Sequence, residues 1–142
     1  MDRLLSSRKE EVNKMELTSV GFYKEMPHGG DSELSIMDFI NKAKGSVDKI
    51  VRYLNDGKAL IISPGLVDDV IDSSKGPAGT PTVYTDGKWI WPGDLAYYVK
   101  NYHLELPQDF LDYMKEKNWT VDFSLDDMDF DSVMIDGQHV EM

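Results

Sequence analysis

The stretch Thr85-Asp86-Gly87-Lys88-Trp89-Ile90-Trp91-Pro92-Gly93-Asp94-Leu95-Ala96-Tyr97-Tyr98-Val99 decides the fold class. Asp86-Gly87 is a dipeptide that accepts positive φ at both positions, which a two-residue type I′ hairpin requires, so Pro81 to Thr85 and Lys88 to Trp91 are predicted as paired strands. Pro92-Gly93-Asp94 then opens a helix in which Leu95, Tyr98, Val99 and Tyr102 fall on one face. A strand hairpin that runs directly into an amphipathic helix points to an α+β arrangement, in which an antiparallel β-meander packs against several helices.

Towards the C-terminus, a further helix is expected near Pro107, with Phe110, Leu111 and Met114 turned inward, because proline suits a first helical position. Trp119 to Phe123 is expected as another strand. Residues 122–142 are acidic but retain Phe130, Val133, Ile135 and Val140 around Asp136-Gly137, and both a hairpin and a disordered tail fit them. Towards the N-terminus, Ala59 to Ser63 and Leu66 to Ile71 flank Pro64-Gly65, the pair a type II turn prefers, and read as two antiparallel strands. A helix should start at Ser35, with Asp38 three positions on and Leu34 opposed to Phe39, and run to Gly57. Gly45-Ser46 could split it, with Ser46 capping the second part. Pro27-His28-Gly29-Gly30-Asp31 marks an irregular loop, and residues 1–16 read as a polar helix. The expected organisation is an N-terminal helical segment over 1–19, a single α+β core over 20–121 and an acidic C-terminal segment over 122–142.

The 142 residues suffice for one core without covalent staples. Cysteine is absent, which excludes disulfides, thiolate metal sites and a cysteine nucleophile. Met1 to Lys14 is charged and forms no signal-peptide-like apolar stretch, and no apolar run approaches the roughly 20 residues that span a bilayer, so a cytoplasmic protein outside the membrane is expected. The 26 acidic and 15 basic side chains leave a formal charge of -11. That field repels phosphate backbones and favours basic proteins as partners, so direct nucleic-acid binding is not expected. The charge is concentrated at one end, since residues 122–142 contain no Lys or Arg at all.

Catalytic motifs are missing. His28, His103 and His139 stand far apart and in no metal-ligand spacing. Asp127-Met128-Asp129-Phe130-Asp131 has the alternating carboxylates that begin a calcium loop, but Ser132 stands where the loop needs glycine and Gln138 where it needs glutamate. Gly76-Pro77-Ala78-Gly79-Thr80 lacks the GK[ST] ending of a phosphate loop, and no GxSxG elbow occurs. Asp68 and Asp69 are strand neighbours that point to opposite faces, so they cannot form one acid/base pair. No catalytic residue, metal or cofactor is therefore assigned. Trp89 and Trp91 share a strand face that suits the core, whereas Tyr97 lies off the helix's apolar stripe and is the better candidate for exposure.

Two blocks, Gly21-Phe22-Tyr23 with Pro27-His28-Gly29 and the long array from Gly79 to Met114, resemble a group of small bacterial proteins sharing a TDGxWxWPxDLxYYVxxYHxxLPxxFLxxM pattern. The likeness spans roughly residues 20–120 and implies a compact bacterial cytoplasmic domain. Size, acidity and the missing catalytic motifs add an analogy to immunity proteins of polymorphic toxins. The leading expectation is thus a non-catalytic, acidic inhibitor of a basic toxin. Asp126, Asp127, Asp129 and Asp131 would contact the toxin, helped by Asp94 and Tyr97. The alternative is a small-molecule or enzymatic pocket between the hairpin and the tyrosine-rich helix, built from Trp91, Tyr98 and His103.

Overall fold

The computed structural model describes residues 15–139. The fold is α+β. A six-stranded mixed sheet contains β1 (Met15–Ser19), β2 (Lys58–Ile61), β5 (Val83–Thr85), β6 (Trp89–Pro92), β7 (Val133–Ile135) and β8 (Gln138–His139), in the order β2-β5-β6-β1-β7-β8. A small second sheet pairs β3 (Val67–Asp68) with β4 (Pro77–Gly79). The helices are α1 (Val47–Asn55), α2 (Leu95–Tyr102) and α3 (Gln108–Glu116). Antiparallel pairing joins β2-β5-β6 and β7-β8, while β1 runs parallel to both of its neighbours, β6 and β7.

Residues 15–19 of the segment expected to be helical are therefore strand. Leu17 supplies the reason: it is buried beside Ile90, Met128 and Val133, and extended backbone is what puts it there. The rest of the expected polar helix lies outside the described residues. At the other end, the folded alternative is the one realised for residues 133–139. Asp136 and Gly137, at φ 51° and 82°, join β7 to β8 with the positive angles a type I′ turn demands. Asp136 also clamps β1, as its carboxylate accepts from the Ser19 amide (2.9 Å) and hydroxyl (2.5 Å).

The β5–β6 hairpin forms, but its turn sits one residue further on than expected. Thr85 pairs with Ile90 and the Asp86 amide donates to Trp89 O, which centres the turn on Gly87-Lys88 with positive φ at Gly87 alone. Asp86 is occupied otherwise: its carboxylate accepts from the Lys88 and Trp89 amides and from the Tyr53 hydroxyl. Glycine is needed at 87 twice over, since a Cβ there would lie 2.6 Å from the Phe123 ring.

The helix expected from Ser35 to Gly57 is divided. Ser35 caps only a 3-10 turn, Ile36–Asp38, where Glu25 accepts from the Ile36 amide, and α1 starts anew after Gly45 (φ 82°) with Ser46 accepting from the Lys49 amide. The hairpin expected around Pro64-Gly65 does not form: β2 pairs with β5 and β3 with β4. Ser63 is tied to Thr80 and Thr82 instead of closing a turn on the next strand. Nor is Trp119 to Phe123 a strand. Asn118 and Trp119 take left-handed φ of 57° and 61°, and the Trp119 amide caps α3 by donating to Met114 O.

Alternation along β6 explains the two-layer burial. Trp89 and Trp91 pack on one side with Phe110, whose ring centroid lies 4.9 Å and 5.5 Å from theirs, next to Tyr53, Tyr98 and Leu95. Ile90 faces the other side, into the smaller cluster with Leu17 and Val133.

Candidate functional site

The described part of the acidic C-terminal segment folds back onto the smaller core. Two 3-10 turns, Leu125–Asp127 and Phe130–Ser132, are pinned where Ser124 Oγ accepts from the Asp126 amide (3.2 Å) and Asp129 Oδ1 from the Asp131 amide (3.0 Å). Met128 and Val133 anchor the segment in the smaller core. Asp126 and Asp127 before Met128, and Asp129 and Asp131 between Met128 and Val133, are exposed, and Phe130 stands among the latter 42% exposed. An exposed apolar ring with carboxylates close before and after it in the chain, on turns closed by hydrogen bonds, is suited to a basic surface with an apolar centre. Phe130 was visible in the sequence only as core material for a hairpin.

Asp94 and Tyr97 do not belong to that surface. Asp94 is fully buried, and although it stands at the start of α2 its carboxylate does not cap the helix; Oδ1 lies 3.0 Å from His28 Nε2. Tyr97 is half-buried, with its hydroxyl donating to Asp69 Oδ2 at 2.8 Å. The grouping of Trp91, Tyr98 and His103 also fails. Trp91 and Tyr98 are closed inside the core, their polar atoms bonded to Leu54 O and, for the Tyr98 hydroxyl, accepting from the Val70 amide, whereas His103 is an exposed left-handed cap on α2. Helical spacing showed which residues share a face but not that the face was already filled.

Two buried polar centres were not anticipated. The first is His28 with Asp94, which brings the Pro27–Gly29 loop against the start of α2. His28 borders a cleft of about 510 Å³ together with Ser19, Phe22, Asp31, Leu34 and Asp136. Its Nδ1 and Asp94 Oδ2 are both buried without a partner among the described residues. Gly29 lets the loop close, as a Cβ there would come within 2.0 Å of Tyr23 O.

The second centre is Asp69, 1% exposed, whose carboxylate accepts from the Tyr102 and Tyr97 hydroxyls and from the Asp72 and Ile71 amides. Burial alone would raise its pKa, but the Tyr102 bond, the Asp72 amide, Tyr97 and the Ile71 amide together hold it below the ordinary carboxylate value. The partner responds in kind: the bond to Asp69, followed by burial, pushes the Tyr97 hydroxyl up to about 12. With every lone pair engaged, this carboxylate has a structural role, holding the β3–β4 loop to α2. Asp68, its neighbour, is exposed.

Among the described residues no group of three His, Asp or Glu side chains is placed to hold a metal ion, and no helix is long and apolar enough to cross a membrane. Comparison of the chain with protein-family models, curated proteins and solved structures returns no match.

Proposed function

We propose that this chain is a non-catalytic cytoplasmic domain that docks on a basic protein, as an immunity-type inhibitor docks on a bacterial toxin. The observation that carries the reading is Phe130, exposed on an anchored turn and flanked by Asp126, Asp127, Asp129 and Asp131. A tail that only kept the molecule dissolved would need neither the two anchors nor an exposed aromatic ring at its centre. Carboxylates in this arrangement raise the encounter rate with a cationic surface, and the ring supplies dry contact once the surfaces meet. The test is co-expression with the product of the adjacent gene, scored by growth rescue and co-purification. Rescue that persists in Asp126→Asn/Asp127→Asn/Asp129→Asn/Asp131→Asn with Phe130→Ala would refute this reading.

A second reading, a small-molecule site, is favoured by one observation: the unpartnered Nδ1 of His28 at the 510 Å³ cleft. This cleft replaces the pocket expected from Trp91, Tyr98 and His103. A ligand there would shift the His28 ring resonances, and that shift would vanish in Asp94→Asn if the pair orients the imidazole.

A further inference from the structure

Among the described residues three tyrosines are buried, Tyr23, Tyr53 and Tyr98, and they differ in how their hydroxyls are used. The Tyr53 hydroxyl donates to Asp86 Oδ2, and the Tyr98 hydroxyl accepts from the Val70 amide. Tyr23 is 3% exposed, with its ring against Phe39 at a centroid distance of 5.7 Å, yet its hydroxyl has no hydrogen-bond partner among the described residues. It is not sealed in either. The fully enclosed side-chain atoms without a partner among the described residues are His28 Nδ1, Trp89 Nε1 and Asp94 Oδ2, so the Tyr23 oxygen retains open surface.

That surface belongs to a cleft of about 420 Å³, whose lining includes Val20, Tyr23, Phe39, Leu106 and Pro107. Glu105 lines the same cleft and its charge reaches the phenol, which places the hydroxyl toward the cleft. Glu105 Oε2 in turn lies 3.7 Å from Lys44 Nζ. Burial, and after it the Glu105 carboxylate, push the phenol pKa above its ordinary value, so the group keeps its proton and can donate. The walls are fixed by backbone bonds: the Glu105 amide donates to Phe39 O at 2.9 Å, and the Lys24 amide to Leu34 O at 2.8 Å. A preformed apolar cleft with one free donor is the usual form of a small-molecule site.

We propose that this cleft binds a small uncharged molecule with an apolar body, seated against Val20, Phe39 and Leu106, and a carbonyl oxygen that accepts from the Tyr23 hydroxyl. The lining narrows the class. A carboxylate would supply the acceptor but meet the charge of Glu105, whereas an ammonium would pair with Glu105 and offer the phenol no acceptor. A plain hydrocarbon would fill the space and strip water from the hydroxyl without replacing it. The site adjoins the His28 cleft, with which it shares Ser19, Val20, Gly21 and Leu34, but it includes neither His28 nor Asp94. It is also independent of the docking surface at residues 126–131.

The test uses the full chain with carbon-13 methyl labels and two probes of matching shape, acetophenone and ethylbenzene, which differ in the carbonyl. With acetophenone the Leu106 methyl signals should move and saturate, at an affinity about fivefold above that of ethylbenzene, the worth of one neutral hydrogen bond. Benzoate should bind more weakly than acetophenone. Tyr23→Phe removes the hydroxyl alone, so its unfolding midpoint should match the parent's while the preference for acetophenone vanishes. Stationary Leu106 signals, equal affinity for the two probes in the parent, or benzoate binding as tightly as acetophenone would each overturn the inference. So would a preference that survives in Tyr23→Phe, or a marked loss of stability in that variant, which would assign the hydroxyl a partner inside the protein. Movement confined to the Ile90 methyl, which lines the His28 cleft and not this one, would overturn it by placing the ligand in the neighbouring cleft.

Discussion

His28 and Asp94, 66 positions apart in the chain, meet at 3.0 Å with the carboxylate wholly inside the protein. The contact fastens the Pro27–Gly29 loop to the first turn of α2, so each residue holds the other's element in place. Removing one partner leaves a buried polar group uncompensated, for which about 3–5 kcal/mol is typical of a broken buried pair. Asp94→Ala and His28→Ala should each destabilise strongly, and the double variant should cost much less than the two together. A double-mutant cycle from urea unfolding measures this, with additivity as the contrary result.

Asp69 gives a prediction in pH. Its folded pKa is depressed, so its stabilising contribution is present above the unfolded carboxylate value of about 3.9 and is lost as pH falls through the lower folded value. Asp69→Asn should therefore be less stable than the parent at neutral pH, by about 1.5–3 kcal/mol for bonds to a charged acceptor. The gap should close as pH drops below about 4. Unfolding curves at a series of pH values give the comparison, and a gap constant with pH would contradict the assignment.

Tyr97 reports the same centre from the alkaline side. Its folded pKa of about 12 stands above the unfolded value of about 10, so the hydrogen-bonded phenol stabilises the fold fully below pH 10. That contribution is lost as pH rises through 12. In Asp69→Asn the upward shifts of Tyr97 and of Tyr102, which shares the Asp69 carboxylate, should both shrink, and ultraviolet difference spectra of phenolate formation should show two tyrosines ionising earlier, one of them missing when Tyr97→Phe is added.

Two Asp-Gly pairs show how far the sequence could be read. Both were compatible with a type I′ turn, but only Asp136-Gly137 takes positive φ at both residues; Asp86 is drawn aside by the Tyr53 hydroxyl, 33 positions away. Local chemistry located the β5–β6 hairpin, α2 and α3, because those signals lie within a few residues of each other. It could not place β2, whose partner is β5 and not the nearby β3, nor the parallel pairing of β1 with β6 and β7. The candidate site divides the same way. The aspartates at 126, 127, 129 and 131 are exposed as their composition suggested, whereas Asp94 and Tyr97 were claimed by His28 and Asp69, partners too distant in sequence to be seen.

Gly87 carries a prediction about the hairpin itself. Alanine there would face both a φ of 96° and a Phe123 ring atom at 2.6 Å, so the chain must distort on two counts. Gly87→Ala should lower stability by at least about 1 kcal/mol, the scale of a left-handed penalty for a side chain. In Gly87→Ala/Phe123→Ala the steric part is relieved and the backbone part remains. Thermal unfolding of the two variants separates them; equal midpoints would mean that the Phe123 contact contributes nothing.

If residues 126–131 form the docking surface, charge and ring should act on different stages of association. Exposed carboxylates work at a distance that salt limits to about 8 Å at physiological ionic strength, and so they govern encounter. Neutralising Asp126, Asp127, Asp129 and Asp131 should slow association with the co-purifying partner and flatten its dependence on salt, while dissociation changes little. Phe130 makes contact only once water is excluded. Phe130→Ala should therefore leave the association rate and its salt dependence near those of the parent and speed dissociation by about tenfold or more, the effect of losing a 1.4 kcal/mol contact. Surface plasmon resonance at several salt concentrations resolves the two rates. A Phe130 variant that left both rates unchanged would place the ring outside the interface and leave the aspartates to attract the partner without it.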